Sequence, residues 1–283
     1  MFTIAKILVP IDFSPRSTDA ADAAAAVADH FASEITVLHV MAPRFDLSLA
    51  TSAESARTEA EQRLKEFRLN EGQNHRVKRV LLEGEPASKI VEYAHSEHVD
   101  LVMMPTHGYG PFRRLLLGSI TAKVLHDSSC LVWTAVHTPD TASCVHSAQP
   151  HHIACAVDLG PQSGRILTWA TQLSGEFGAK LSVIHVVASL DPRLQTYYLS
   201  PEWRGEVINE AKAELVQTME TAGARGEIHI EIGSIADAIA NAAKSVQADL
   251  LLIGRSSLDG VTGRLPTNAY AIIRESPCPV LSV

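Results

Sequence analysis

The chain of 283 residues contains the same segments twice, in the same order. The stretch KILVPIDFS at Lys6–Ser14 matches HIACAVDLG at His152–Gly160, and EITVLHV at Glu34–Val40 matches KLSVIHV at Lys180–Val186. Matching segments stay about half a chain length apart throughout, as expected for an internal duplication. The sequence therefore predicts one domain of about 135 residues that is present in two copies.

A segment without a counterpart separates the two copies. It reads HTPDTASCVHSAQPH, and its richness in Pro, Ser and Thr is typical of a linker. We expect a first domain over residues 1–138, a linker over 139–150 and a second domain over 151–283.

Composition restricts the class of protein. Apolar residues make up 46% and charged residues 20% of the chain, which is typical of a globular protein. The net charge of −8 disfavours binding to nucleic acid, and no apolar run reaches the ~20 residues of a membrane-spanning helix. The four cysteines lack CxxC spacing and the first residues carry no signal-peptide pattern, so we expect a cytoplasmic protein that contacts neither nucleic acid nor membrane.

Each copy alternates apolar strands with helical segments. The first helical segment begins with Ser14 as a capping residue and Pro15 in the first turn. Continuous apolar runs in the first copy predict five strands, at Ile7–Ile11, Val37–Val40, Val77–Leu82, Leu101–Met104 and Leu131–Val136. This alternation predicts an α/β fold with a five-stranded parallel sheet and helices on both of its faces.

Ligands of open parallel sheets bind at the carboxyl ends of the strands, where the strand order reverses. In the first copy, strand one ends at Asp12, strand two ends at Val40, and strand four runs into MPTHGYGPFRRLLLGS at Met104–Ser119. A glycine-rich turn that enters a helix offers backbone N–H groups to a phosphate. The stretch matches neither the P-loop pattern nor the dinucleotide-binding fingerprint.

At this point both copies resemble the universal stress protein family, nearly end to end and without the linker. ATP-binding members of that family carry Gly, two residues, Gly, nine residues, then Gly and Ser or Thr. The segment Pro105–Gly108, nine further residues, and Gly118 with Ser119 keep this spacing, with proline in place of the first glycine. The resemblance implies Rossmann-like domains that bind ATP, with Asp12 and the backbone of Val40 at the adenine end.

The nucleotide site implied for the first copy combines strand ends, the glycine-containing loop and the start of the last helix. Its residues are Pro10, Ile11, Asp12, Val40, Met104, Pro105, His107, Gly108, Arg113, Gly118, Ser119 and Ile120. We expect a side chain at Gly118 to fill space that the phosphates need. Mg²⁺ could accompany the triphosphate, and no structural metal is expected.

The corresponding site in the second copy is degenerate. Its residues are Asp158, Val186, Ile253, Gly254, Ser257 and Thr267. Ser257 replaces the second motif glycine, Pro266 stands opposite Gly118, and Asp259 adds negative charge beside any phosphate. This site could be empty, or it could hold a nucleoside or a small anion.

No arrangement of residues indicates a catalytic centre, which favours a nucleotide-sensing binding protein. A slow nucleotide hydrolase, with Asp12 or His107 as the base, and an interaction protein with both sites vacant are the alternatives. His39 and His185 occupy matching strand ends, and we interpret both as structural. A linker cluster of Cys and His residues matches no standard zinc module. It consists of Cys144, His146, His151, His152 and Cys155.

The fifth strand of each copy is apolar and would expose unpaired backbone groups if it were left at a sheet edge. Members of the resembled family pair such strands about a two-fold axis. We therefore expect Leu131–Ala135 to lie near Val280–Val283, so that the two copies form a pseudo-two-fold dimer within one chain. Further association into a homodimer stays open.

Overall fold

The computed structural model describes residues 3–43, 50–69, 76–107, 117–136, 149–188, 201–255 and 267–283. The chain divides into two compact units, which consist mainly of Thr3–His137 and Gln149–Val283. No helix within these described ranges is long and apolar enough to cross a membrane.

The first unit alternates strands and helices as the sequence predicts. Its elements are β1 (Lys6–Ile11), α1 (Pro15–Phe31), β2 (Glu34–Met41), α2 (Ala50–Glu66), β3 (Arg76–Glu83), α3 (Pro86–Ser96), β4 (Leu101–Met104), α4 (Ser119–Asp127) and β5 (Leu131–Thr134). The strands are parallel and lie in the order β3-β2-β1-β4-β5. The predicted α/β fold is confirmed, although β5 ends two residues before the predicted Val136.

The second unit repeats this architecture. Its elements are β6 (His152–Val157), α5 (Ser163–Phe177), β7 (Lys180–Ala188), α6 (Pro201–Ala222), β8 (Glu227–Gly233), α7 (Ile235–Ser245), β9 (Leu250–Ile253), α8 (Thr267–Glu275) and β10 (Val280–Ser282). Within this unit the parallel strands lie in the order β10-β9-β6-β7-β8.

The central strands are buried on both faces. Leu8 and Val9 of β1 and Leu101 and Val102 of β4 have no exposed surface, because helices pack on the sheet and neighbouring strands cover both edges of each strand. The chain leaves β1 for β2 on one side and later returns to β4 on the other, so the strand order reverses at β1. The crevice between the carboxyl ends of β1 and β4 is therefore the position where this fold can hold a ligand.

Helix α1 lies on the sheet through small side chains. The Ser14 hydroxyl accepts a hydrogen bond from the Ser17 N–H and caps the helix, as the sequence predicts. Ala21, Ala24 and Ala28 are fully buried on its inner face. Alanine adds helix propensity without bulk, so the helix backbone can approach the sheet closely.

Helix α3 has a charged cap that the sequence analysis missed. The Glu85 carboxylate accepts hydrogen bonds from the N–H groups of Ala87 and Ser88, at 3.2 and 2.8 Å, and Lys123 lies 3.2 Å from it. The hydrogen bonds from Ser88, followed by those from Ala87 and Lys123, lower the pKa of Glu85 to about 2. Gly84, just before the cap, has a φ of +143°, which side-chain-bearing residues rarely adopt.

The cap predicts a pH-dependent contribution to stability. The free energy of unfolding should fall by about 1 kcal/mol in Glu85→Ala at pH 7, because two helix N–H groups lose their acceptor. A carboxylate with a lowered pKa stabilises the fold above its ordinary pKa of ~4.3, and that contribution disappears as the pH falls towards 2. Urea unfolding of both proteins between pH 7 and pH 2.5 measures the difference.

The equivalent cap in the second unit is the control. Ser234 occupies the capping position of α7, and its side chain makes no capping hydrogen bond. Ser234→Ala should therefore change stability by much less than Glu85→Ala. Equal losses in the two variants, or a loss in Glu85→Ala that does not depend on pH, would contradict this account.

Candidate functional site

A cavity of about 140 Å³ lies at the carboxyl ends of β1, β2 and β4 in the first unit. Many of the residues predicted for the site line it, namely Pro10, Ile11, Asp12, Val40, Met104, Pro105, His107 and Ile120. Gly118 immediately precedes α4, and Ser119 is its first residue. Gly108 and Arg113 lie outside the described residues.

The sequence analysis missed part of the cavity wall. The additional lining residues are Ser17, Leu38, His39, Pro86, Ile90 and Thr121. Ser17 recurs as Ser163 and Ile90 recurs as Ile239, so comparing the copies helix by helix would have found them. Pro86 and Thr121 could not be found by this comparison, because the second copy has Ile235 and Ala269 at the equivalent positions.

Asp12 follows β1 and lies at the solvent-exposed rim of the cavity. Its Oδ1 accepts a hydrogen bond from the Ser14 N–H at 3.0 Å, which fixes the carboxylate relative to the start of α1. Between these two residues, Phe13 has a φ of +60°, an unusual value for a residue other than glycine. The exposed carboxylate can accept a hydrogen bond from a ligand amine or hydroxyl.

His39 forms the wall next to Asp12. Its Nδ1 lies 2.8 Å from the carbonyl oxygen of Ile11, which can only accept, so Nδ1 carries the proton. The His39 ring lies 4.4 Å from that of Phe13, and the Arg63 guanidinium lies 4.3 Å from the Phe13 ring centroid. His185 repeats the hydrogen bond with Val157 at 2.9 Å. Both histidines therefore join neighbouring strands, in agreement with a structural role.

The end of β4 is tied to the start of α4 by two hydrogen bonds. The Gly118 N–H donates to the Thr106 carbonyl at 2.8 Å, and the Thr121 hydroxyl donates to the Pro105 carbonyl at 3.0 Å. His107 is only 5% exposed, and its Nδ1 lies 3.2 Å from the Thr106 hydroxyl. The floor of the cavity is therefore held by main-chain and hydroxyl contacts.

Gly118 has a structural function in addition to the expected one. A Cβ atom at this position would lie 3.1 Å from both the His107 Cα and the Thr106 carbonyl oxygen. A larger residue would therefore press on the main chain at the end of β4. The glycine allows α4 to approach β4, and that approach gives the loop its geometry.

The start of α4 makes the cavity suitable for an anion. Gly118 provides no side-chain cap, and the first turn contains no acidic residue. Ile120 and Thr121, in that first turn, line the cavity. The first turn of α4 and the positive end of its helix dipole therefore lie beside the cavity, as in known phosphate sites.

The second unit has a cavity of about 170 Å³ at the equivalent place. Of the predicted residues, Asp158, Val186, Ile253 and Gly254 line it, and Thr267 is the first residue of α8. Ser257 lies outside the described residues. Asp158 accepts hydrogen bonds through Oδ1 from the Gly160 N–H at 2.8 Å and the Ser163 hydroxyl at 3.2 Å.

The two cavities have different floors. Gly254 stands at the position of Pro105, and a Cβ atom on Gly254 would overlap the side chain of Ile166. The first unit has Ala20 at the position of Ile166. The volume of the proline ring in one unit is therefore matched by the volume of an isoleucine in the other.

No group of three or more potential metal ligands occurs among the residues that the structure describes. Cys144 and His146 of the linker cluster lie outside them. Cys155 is fully buried in β6, and burial raises the pKa of its thiol to about 12. A buried thiol of this kind is a poor zinc ligand, because zinc binds the thiolate.

The sequence model described as the Universal stress protein family matches residues 3–135 and again residues 150–283. A universal stress protein of Methanocaldococcus jannaschii is 32% identical over 134 residues, which covers 45% of this chain and 79% of that protein. Universal stress protein A homolog 1 of Coxiella burnetii is 30% identical over 136 residues, which covers 47% of this chain and 94% of that protein.

A solved structure resembles the whole chain. The crystal structure of a universal stress protein from Archaeoglobus fulgidus has a TM-score of 0.66 and 22% identity, and the match covers 99% of this chain and 98% of that one. At this level of identity the similarity concerns the fold, with two units in one chain.

The contact of Gly118 predicts a local structural defect on substitution. Gly118→Ala should lower the free energy of unfolding by about 1 kcal/mol, because the added methyl group presses on the main chain of Thr106 and His107. It should also shift the backbone amide resonances of these two residues. Gly175 in α5 is the control, since a Cβ atom there meets nothing within 4 Å.

Gly175→Ala should raise stability by roughly 0.5–1 kcal/mol, because alanine restricts the unfolded chain more than glycine does. Thermal unfolding of the two variants, together with amide spectra, compares the effects. Unchanged stability and unchanged amide resonances in Gly118→Ala would contradict the close approach of α4 to the end of β4.

Proposed function

The chain belongs to the universal stress protein family, and on that premise we propose that it is a cytoplasmic nucleotide-binding stress protein whose first unit binds ATP. One observation carries the proposal: the cavity at the strand-order reversal brings Asp12 and the start of α4 to the same crevice. A hydrogen-bond acceptor at one side and the N-terminal end of a helix at the other match the two ends of a nucleotide.

We assign different tasks to the two ends. Ile11, Leu38 and Val40 supply apolar surface for the adenine ring, and the fixed Asp12 carboxylate accepts from its amine or from a ribose hydroxyl. The phosphates would extend towards the N–H groups at Ser119 and Ile120. Arg113 and Gly108 would complete this end in the proposed site. Mg²⁺ enters the proposal only together with the triphosphate.

We place the tighter site in the first unit. The motif spacing is intact there, whereas Ser257 and Pro266 interrupt it in the second unit. These differences favour tighter nucleotide binding in the first unit.

We also propose that the two units pair through their fifth strands within one chain. Within the first unit, β5 lies at one end of the strand order. Within the second unit, β10 lies at one end of the strand order. A bare edge strand is prone to pair with another chain, and an equivalent strand in the same chain is a ready partner.

Substitutions that narrow the cavity test ATP binding. Val40→Phe should weaken ATP binding by about tenfold or more, because the ring occupies the space proposed for adenine. Val186→Phe introduces the same ring at the matching position of the second unit and should leave the main ATP affinity unchanged. Isothermal titration calorimetry of the full chain measures both. Equal affinities of wild type and Val40→Phe would contradict the proposed site.

Separation of the units tests the strand pairing. Residues 1–140 expressed alone should self-associate, because β5 would lack the proposed partner in the second unit. Light scattering at several concentrations measures the mass of the fragment. A folded fragment that stays monomeric at all concentrations would contradict pairing through the fifth strand.

A further inference from the structure

We propose that β8, an edge strand of the second unit, pairs with β8 of a second copy of this chain, so that the protein forms a two-fold symmetric dimer. Within the described part of the second unit, β8 is hydrogen-bonded to β7 and to no other strand. Its other side therefore offers backbone N–H and C=O groups to a further strand. The proposal depends neither on nucleotide binding nor on the pairing proposed for the fifth strands.

The helices beside β8 leave room for a further strand. α6 and α7 both contact β7 as well as β8, so they lie over the faces of the sheet and not beyond its last strand. Every residue of β8 after the exposed Glu227 is only partly buried, whereas all residues of the central strand β9 are buried. The outer side of β8 is therefore accessible to a second copy.

The composition of β8 favours pairing with another strand. β3, the corresponding edge strand of the first unit, carries Arg76, Lys78 and Arg79, and such charges on an edge oppose association with another chain. β8 contains no lysine, arginine or proline. Three of its seven residues are isoleucines, whose branched side chains suit paired strands. They are Ile228, Ile230 and Ile232.

The alternation of side chains separates the charged residues of β8 from the isoleucines. Glu227, His229 and Glu231 share one face of the strand, and the isoleucines point to the other. The Glu227 Oε1 lies 3.7 Å from the His229 Nε2 on this shared face. Two copies related by a two-fold axis would pair as antiparallel strands, in which residues directly opposite each other point to the same face of the sheet.

One antiparallel register gives favourable partners to the whole strand. With Ile230 opposite Ile230 of the second copy, Ile228 lies opposite Ile232, and His229 lies opposite Glu231. All seven residues of β8 then have a partner in the second copy. Apolar side chains meet apolar ones, and each imidazole meets a carboxylate, which are both stabilising cross-strand pairs.

The alternative symmetric registers are less favourable. With His229 at the two-fold axis, Glu227 would lie opposite Glu231, and with Glu231 at the axis two glutamates would face each other directly. Like charges in such positions destabilise a strand pair. With Ile228 at the axis, only the residues from Glu227 to His229 would be paired. The sequence of β8 therefore selects the register that is centred on Ile230.

A lysine at the centre of the interface tests the pairing. Ile230→Lys would bring two ammonium groups together at the two-fold axis, so the dissociation constant of the dimer should rise about tenfold or more. Leu81→Lys at the equivalent position of β3 is the matched control and should leave the dimer unchanged. Sedimentation of the full chain over a concentration series measures the mass relative to the 30.5 kDa of one copy. Circular dichroism checks that both variants are folded.

A charge exchange tests the register. His229→Glu would place a glutamate opposite Glu231 of the second copy and should weaken the dimer roughly threefold to tenfold. Adding Glu231→His to this variant makes the opposed pair complementary again and should restore the dissociation constant to within about twofold of the wild type. The double variant has the same composition as the wild type, and it decides the question if Ile230→Lys does not fold.

Several results would overturn the proposal. A full chain that stays monomeric at all concentrations has no such interface. A dimer that folded Ile230→Lys leaves unchanged, or that Leu81→Lys weakens equally, is formed through another surface. Failure of the charge exchange to restore a dimer weakened by His229→Glu would contradict the pairing of His229 with Glu231.

Discussion

The strand order of each unit depends on one strand that is hydrogen-bonded on both sides. β1 pairs with β2 and β4, and β6 pairs with β7 and β9. Because all these strands are parallel, their carboxyl ends meet at one edge, and the chain diverges from that edge in two directions. The crevice follows from this topology and not from any particular side chain. Two copies with different linings can therefore both retain a cavity at the same place.

The sequence predicts those features of the fold and the site that depend on short-range patterns along the chain. The apolar runs identified the strands, because a strand buried on both faces has no polar alternation. Asp12 and Asp158 were found because each directly follows a buried strand in a repeated segment. Ser14 was recognised as a cap because its hydrogen bond spans only three residues.

Other features depend on contacts between distant segments. The Thr121 hydroxyl reaches the Pro105 carbonyl across the loop, and Gly118 is required by the main chain at Thr106. The complementarity of Gly254 and Ile166 joins β9 to α5. None of these can be read from spacing along the chain, because each depends on how closely two packed elements approach. The φ angle of Gly254 is not positive, in contrast to that of Gly84, so the backbone at this position does not require glycine. The equivalent residue of the first unit is Pro105.

The two units stabilise the same backbone turn by different means, and this difference affects the carboxylates at the rims. Phe13 and Leu159 both have a φ near +60°. In the first unit Ser14 caps α1 and the Ser17 hydroxyl donates to the Ser14 carbonyl, while the Phe13 ring contacts His39 and Arg63.

In the second unit Gly160 replaces Ser14, so no hydroxyl can cap the helix, and α5 begins only at Ser163. The Ser163 hydroxyl instead donates to Asp158. Asp158 thus accepts two hydrogen bonds from its own turn where Asp12 accepts one. Asp12 therefore keeps more of its acceptor capacity than Asp158 does.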